Sequence, residues 1–282
     1  MPGPLAIPPD RFVTLDGVRF HYLDWGGEGE PLLLLAGLGC NAHLFVELAP
    51  LLSDRLRVLA LTRRGHGLTE QVDEGCTIAD GAEDARRLLD ALGIERAHVV
   101  GHSMGGGEVS VLAARHPGRV DRIVYLDGAY DWADRAAPEE PDEGDLDRYA
   151  SYDDYVDFVY SLFDDDIRGP AFDAMLRTSV VEQPDESVVD RFSGAAAAPF
   201  VRALQEFRHP YAEISAPALA IYALGEQWEG PEGPWRVGSR DRFAAETANG
   251  QVAELSASHY LFIDHRDEVV AALQEFLTRR HP

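Results

Sequence analysis

Apolar residues recur along this chain in two rhythms. Short unbroken runs (Leu32-Leu33-Leu34-Leu35, Val58-Leu59-Ala60-Leu61, His98 to Val100, Val120 to Leu126 and Ala218 to Tyr222) have strand length and little polar interruption. Such runs fit strands buried on both faces of a parallel sheet. Between them lie stretches with helical spacing. The clearest is Ile78, Ala82, Ala85, Leu88, Leu89 and Leu92, with Thr77 placed to cap its start and Gly93 to end it. Ala42 to Leu52, the residues after Ser103 to about His116, Arg240 to Ala248 and Asp267 to Arg280 read the same way, and Gln251 to Leu255 reads as a last short strand. At the start, Phe12 to Leu15 and Val18 to Tyr22 flank Asp16-Gly17, a hairpin signal. Strands alternating with helices predict an α/β fold with a mostly parallel central sheet flanked by helices.

The alternation stops after Asp127 and resumes near Ala218. From Asp131 to Glu213 the chain holds 21 Asp and Glu against 7 Arg, and it is rich in Tyr and Phe. Tyr155, Phe158, Val159 and Leu162 fall at helical spacing, so amphipathic helices are expected there. Pro138 to Asp147 reads as a mobile acidic loop. The expected division is a core of residues 1–127 and 214–282, interrupted by a helical cap over 128–213.

One stretch carries chemistry. Gly101-His102-Ser103-Met104-Gly105 has the form G-x-S-x-G, directly behind a β-branched run and ahead of a helical pattern. A strand that turns sharply into a helix lifts the turn residue clear of the sheet, and glycines on either side allow the close packing this needs. Ser103 would stand at the tip, with the Met104 amide at a helix N-terminus beside it. An ordinary serine in a glycine-rich turn is the plain alternative. The strand before, the helix after and a late histidine, His259, weigh against it.

Charge narrows the partners. The net charge is −24, from 25 Arg and no Lys against 49 Asp and Glu. Lysine-based covalent or general-base chemistry is excluded. An acidic surface repels nucleic acid and anionic membranes, so neither is an expected partner. No stretch approaches the roughly 20 apolar residues that span a bilayer, and the N-terminus has no signal-peptide pattern, so the cytoplasm is the expected location. Cys40 and Cys76 read as reduced thiols. No His, Cys and Asp cluster has metal-ligand spacing, and Gly101 to Gly107 lacks G-x-G-x-x-G spacing, so neither metal nor dinucleotide is expected.

On four stretches the chain resembles the α/β-hydrolase family. They are the apolar strand with its glycine-rich loop (Leu32 to Asn41), Arg64-Gly65-His66-Gly67, the turn around Ser103, and Ser258-His259-Tyr260-Leu261-Phe262-Ile263. The resemblance implies Ser103 as nucleophile and His259 as its base, an acid between them in the sequence, and backbone N–H groups of Leu38 and Met104 as the oxyanion hole. Two acids compete. Asp127 ends the strand after the helix that follows Ser103, where part of the family keeps its acid. The commoner location resembles Gly-Glu-x-Asp, and here reads Gly225-Glu226-Gln227-Trp228, which leaves Glu226 as rival. Asp127 is favoured. The loop also departs from the family, with Ala36-Gly37 where His-Gly is usual. Cys40 lies close by without an assigned base, and His43, just beyond the loop, is a candidate pocket residue left unassigned.

Serine at the turn argues against dehalogenases and epoxide hydrolases, which place Asp there. It favours acyl transfer to water on a small, mostly apolar ester, lactone or thioester, without cofactor. A C–C bond hydrolase or cofactor-free perhydrolase is the alternative within the fold. A non-catalytic small-molecule-binding protein is the alternative outside enzymes.

Overall fold

Leu32 to Leu35 occupy the middle of an eight-stranded sheet, and all four are buried. The computed structural model describes residues 7–72, 74–135, 148–162, 167–192, 194–224 and 230–279, with side chains omitted over 194–196. In chain order the sheet strands are β1 (Arg11–Leu15), β2 (Val18–Gly26), β3 (Glu30–Leu35), β4 (Leu56–Leu61), β5 (Ala97–His102), β6 (Val120–Leu126), β10 (Ala218–Ala223) and β11 (Gly250–Leu255). Their spatial order is β1-β2-β4-β3-β5-β6-β10-β11. The pairs from β4 through β11 are parallel, and β1 and β2 are joined antiparallel at one edge.

Why the central strands carry apolar runs follows from what covers them. Successive residues enter different cores. Leu32 and Leu34, Val58 and Ala60, Val124 and Leu126 face one, and Leu33 and Leu35, Leu59 and Leu61, Ile123 and Tyr125 face the other. With both faces buried, both sets of alternate positions are mostly apolar. The first core is closed by α8 (Arg266–Leu277) through Val269, Leu273, Phe276 and Leu277. The second is closed by α1 (Ile78–Ala91) and α2 (Met104–Arg115) through Ala85, Leu88, Leu89, Val109 and Leu112.

Several local expectations hold. Asp16 and Gly17 both have positive φ, as a tight hairpin turn demands. Thr77 caps α1 reciprocally: its hydroxyl accepts from the Asp80 N–H at 3.1 Å, and the Asp80 carboxylate accepts from the Thr77 N–H at 3.1 Å. Others do not. Ala42 to Leu52 is two short 3-10 turns, Ala42–Phe45 and Ala49–Leu51, because Pro50 has no N–H to continue a helix. The helix expected from Arg240 begins earlier. It is α6 (Gly233–Glu246), and Pro234 sits in its first turn, where proline is tolerated.

Between β6 and β10 the described residues form α3 (Tyr152–Ser161), α4 (Pro170–Ser179) and α5 (Gly194–Gln205), together with an antiparallel sheet of β7 (Arg148–Tyr149), β8 (Val180–Glu182) and β9 (Val188–Asp190). The helices were expected and the small sheet was not, since strands of two or three residues leave no readable alternation. The expected mobile loop, Pro138 to Asp147, lies outside the described residues.

Topology fixes where chemistry can occur. From β3 the chain moves to β4 on one side, then crosses to β5 on the other side of β3. The crevice beyond the carboxyl ends of β3 and β5 is therefore a switch point, where open α/β sheets bind ligands. The loop with Leu38 leaves β3 there, and Ser103 leaves β5.

The buried histidines make stability pH-dependent. Burial holds His209 neutral, aided by the Arg242 guanidinium, and lowers its pKa to about 3. His66, His98 and His102 are lowered for the same leading reason. The unfolded chain takes up protons near pH 6.5, while the folded chain refuses them. The neutral rings therefore contribute full stability above pH 6.5, and this is lost as pH falls toward their folded values. Unfolding free energy should drop between pH 7 and 5, each ring adding up to about 1.4 kcal/mol per pH unit. Chemical denaturation of His209→Asn across that range should show the slope reduced by up to one proton. An unchanged slope would show that His209 is not held neutral.

Candidate active site

Ser103 stands where β5 ends and α2 begins, with φ +51° and ψ −122°. This strained conformation is possible because strand and helix nearly touch. A Cβ on Gly101 would lie 2.3 Å from the Gly105 carbonyl oxygen, and one on Gly105 would lie 2.4 Å from that of Leu35. Only glycine fits at either position. Met104 is the first residue of α2, so its N–H belongs to the set a helix leaves unpaired at its start. Ser103 is 8% exposed.

Asp127 directly follows β6, also at positive φ, and its side chain is fully buried. One oxygen, Oδ2, accepts from His259 Nδ1 at 2.6 Å. The other, Oδ1, accepts from the Tyr130 hydroxyl at 2.5 Å and from the Ala223 N–H at 3.0 Å. The Arg236 guanidinium lies 3.8 Å from Oδ2. Burial and the neighbouring Asp127 charge push the Tyr130 pKa up, so its hydroxyl remains a donor. Both oxygens thus have donors with fixed roles. Neither Tyr130 nor Arg236 carries a sequence signal: Tyr130 is one aromatic among many, and Arg236 precedes the helix expected from Arg240. Glu226, the rival acid, lies outside the described residues.

His259 occupies the turn after β11, ahead of α7 (Leu261–Asp264). That turn is held by the Ser258 N–H donating to Asp264 at 2.7 Å and the Tyr260 N–H donating to the Ser258 hydroxyl at 3.1 Å. The residue before Ser103 braces it further. His102 Nε2 donates to the His259 carbonyl at 3.1 Å, and the two rings lie 4.6 Å apart. The structure therefore joins Asp127 to His259 directly, and joins His259 to the strand end that carries Ser103.

The loop after β3 runs against the same point. A Cβ on Gly37 would fall 3.0 Å from the Ser103 Cβ, and Leu38 is the next residue. The histidine usual at the start of this loop is absent, and a buried arginine holds the loop instead. Arg63 donates to the Ala36 and Gly37 carbonyls at 2.7 and 3.0 Å, and pairs in two places with the buried Glu108 carboxylate, at 2.5 and 3.0 Å. Arg63 is visible in sequence only as the residue before Arg64-Gly65-His66-Gly67. Nothing local announces that Glu108, on α2, is its partner. Breaking a buried ion pair strands a charge. Glu108→Gln is therefore expected to cost about 3–5 kcal/mol in chemical unfolding. A cost below about 1 kcal/mol, the size of an exposed pair, would show that the pair does not brace the loop.

Cys40 sits beside this loop but makes a poor nucleophile. Burial pushes its thiol up to about 11, and its sulfur lies 4.0 Å from the Tyr260 hydroxyl.

Comparison with known proteins agrees with the fold. The profile of the family described as alpha/beta hydrolase fold matches residues 30–209. A protein of Mycobacterium phage D29, provisionally named a non-heme haloperoxidase, is 40% identical over 121 residues, covering 43% of each chain. The dihydrolipoyllysine-residue acetyltransferase component of an acetoin cleaving system from Cupriavidus necator is 40% identical over 116 residues, 41% of this chain and 31% of that protein. The match thus spans less than half the length of these curated relatives. Among solved structures, E-2-(acetamidomethylene)succinate hydrolase superimposes with a TM-score of 0.81 at 22% identity, over 96% of this chain and 99% of that one. The fold is thus shared nearly end to end. With the profile covering well over half of its residues, the chain belongs to the α/β hydrolase fold family.

Proposed function

We propose that this protein is a serine hydrolase that cleaves a carboxylic ester, lactone or thioester of a small, mostly apolar molecule through an acyl-enzyme. The observation that carries the reading is the 2.6 Å contact of the buried Asp127 with His259 Nδ1, beside a serine presented on a strained strand-to-helix turn. Ser103 Oγ attacks the substrate carbonyl while His259 Nε2 takes its proton. Asp127 holds the ring in the tautomer that leaves Nε2 free, and stabilises the imidazolium. The Leu38 and Met104 N–H groups face the oxyanion of the tetrahedral intermediate. His259 then protonates the leaving alcohol or thiol, and water, deprotonated by the same nitrogen, releases the acid.

Residues 128–213 act in this reading as a cap on a core of 1–127 and 214–282. Three contacts support it. Phe172 meets Tyr260, the neighbour of His259, at 4.8 Å between ring centroids. A Cβ on Gly39, next to Leu38, would lie 3.8 Å from Phe192. Asn41 donates to the Met175 carbonyl and the Ser179 hydroxyl on α4, each at 3.1 Å.

A panel of chromogenic acyl esters, lactones and thioesters tests the reading, and turnover of at least one class is expected. No turnover of any would favour a binding protein on this fold. The phage relative carries a peroxidase name, so hydrogen peroxide belongs in the panel as a second acceptor for the acyl group.

The acidic composition of residues 131–213 gives a sharper expectation. Excess negative charge above the site should oppose anionic substrates. A neutral ester should show higher kcat/KM than a carboxylate-bearing ester of equal size, and the gap should narrow as salt screens the field. A gap indifferent to salt would place the acidic face away from the entrance.

A further inference from the structure

We propose a divalent transition-metal site, with Zn²⁺ as the fitting ion, formed by Asp10, His21 and His43, none of which takes part in the proposed triad. Spacing in the sequence gives no sign of it, because the three residues come from separate segments. Asp10 precedes β1, His21 lies on β2, and His43 lies in the 3-10 turn just beyond the loop that carries Leu38. In the fold, His21 Nε2 and His43 Nε2 converge on a single oxygen, Asp10 Oδ1, at 2.9 and 3.2 Å. The two imidazoles are stacked parallel, 1° apart in plane and 5.2 Å between centroids. One ligand atom from each residue lies within 4.8 Å of the others. Tetrahedral zinc with bonds near 2.0 Å separates its ligand atoms by about 3.3 Å, so the two short edges fit.

The distal nitrogens are built as metal ligands require. Metal-binding histidines usually hydrogen-bond through their other ring nitrogen, which fixes the tautomer. His21 Nδ1 lies 2.8 Å from the Thr62 hydroxyl, and His43 Nδ1 lies 3.3 Å from the Thr178 hydroxyl. Thr178 donates its proton to the Met175 carbonyl at 3.0 Å, so it accepts from His43 Nδ1–H. That leaves the His43 Nε2 lone pair facing a carboxylate oxygen, an arrangement that a cation between them relieves. Both histidines are buried, whereas the Asp10 side chain is 44% exposed, which leaves an open side for entry and for a water ligand. Two imidazoles with one carboxylate suit zinc and its neighbours better than magnesium or calcium. The other cluster of this kind, Glu30, His98 and Asp121, is different. There one ring is held between two carboxylates through its opposite nitrogens, at 3.2 and 3.3 Å, so the lone pairs do not converge. A bound ion would tie the segment before β1 to β2 and to the turn after β3, and through Thr178 to α4.

The test uses the full chain, stripped with chelator and titrated with Zn²⁺ by calorimetry. One equivalent should bind, and the melting temperature should rise by about 5 °C at free zinc about 100 times Kd. Co²⁺ in its place should give the visible absorption of a low-symmetry, four-coordinate ion. Asp10→Ala and His43→Gln should each abolish the cobalt band and the zinc heat. Asp10→Asn, a near-isosteric change at a partly exposed residue, serves where either variant is unstable. Absence of binding, or binding that survives in the variants, would overturn the site and leave Asp10 as an ordinary hydrogen-bond partner of His21.

Discussion

Ser103→Ala should lower kcat for any ester the protein turns over by about 10⁶, the loss found when a triad nucleophile is removed. The fold should survive, because alanine keeps the Cβ and removes only the hydroxyl from a turn whose glycines stay in place. The backbone strain at φ +51° is the same for both residues. KM should change little by comparison, since the contacts that hold the rest of the substrate remain. The neighbouring Cys40 is no ready substitute, as its thiol is buried and pushed up to about 11. Far-ultraviolet circular dichroism and steady-state kinetics together check this. A native spectrum with kcat reduced less than about tenfold would remove Ser103 from the chemistry.

Asp127→Asn should cost about 10⁴ in kcat, the loss caused by the corresponding change in a serine protease triad. The structure says why an isosteric change is so damaging. Asp127 Oδ1 accepts two hydrogen bonds, from Tyr130 and from the Ala223 N–H. An asparagine would keep its carbonyl oxygen there and turn its NH2 toward His259. Nδ1 would then have to accept, its proton would move to Nε2, and Nε2 could no longer take the serine proton. Tyr130→Phe is the informative companion. It removes one of the two donors that fix the amide orientation, so Tyr130→Phe with Asp127→Asn should be less damaging than the product of the two single losses. Comparing the four proteins by kcat tests this. If Glu226→Gln costs more than Asp127→Asn, the acid is Glu226.

The fold was legible because the sheet is buried on both faces. Continuous runs such as Leu32 to Leu35 mark such strands, and the glycines around Ser103 mark a sharp turn that admits no Cβ on either side. Other features were not legible because they join distant parts of the chain. Glu108 reaches Arg63 across 45 residues, and Tyr130 matters only through its hydroxyl on Asp127. Asp10, His21 and His43 meet across a hairpin and a crossover, so no local spacing announces them. Short elements also hid, as with β7, β8 and β9, whose two or three residues carry no periodicity.

The most direct test is the covalent intermediate itself. The protein is mixed with a chromogenic acyl ester, quenched in acid within the first turnovers, digested and weighed by mass spectrometry. The account predicts one acyl mass increment on the peptide containing Ser103, absent in Ser103→Ala. Turnover with no acyl group on Ser103, or with the increment on Cys40 or another residue, would contradict it.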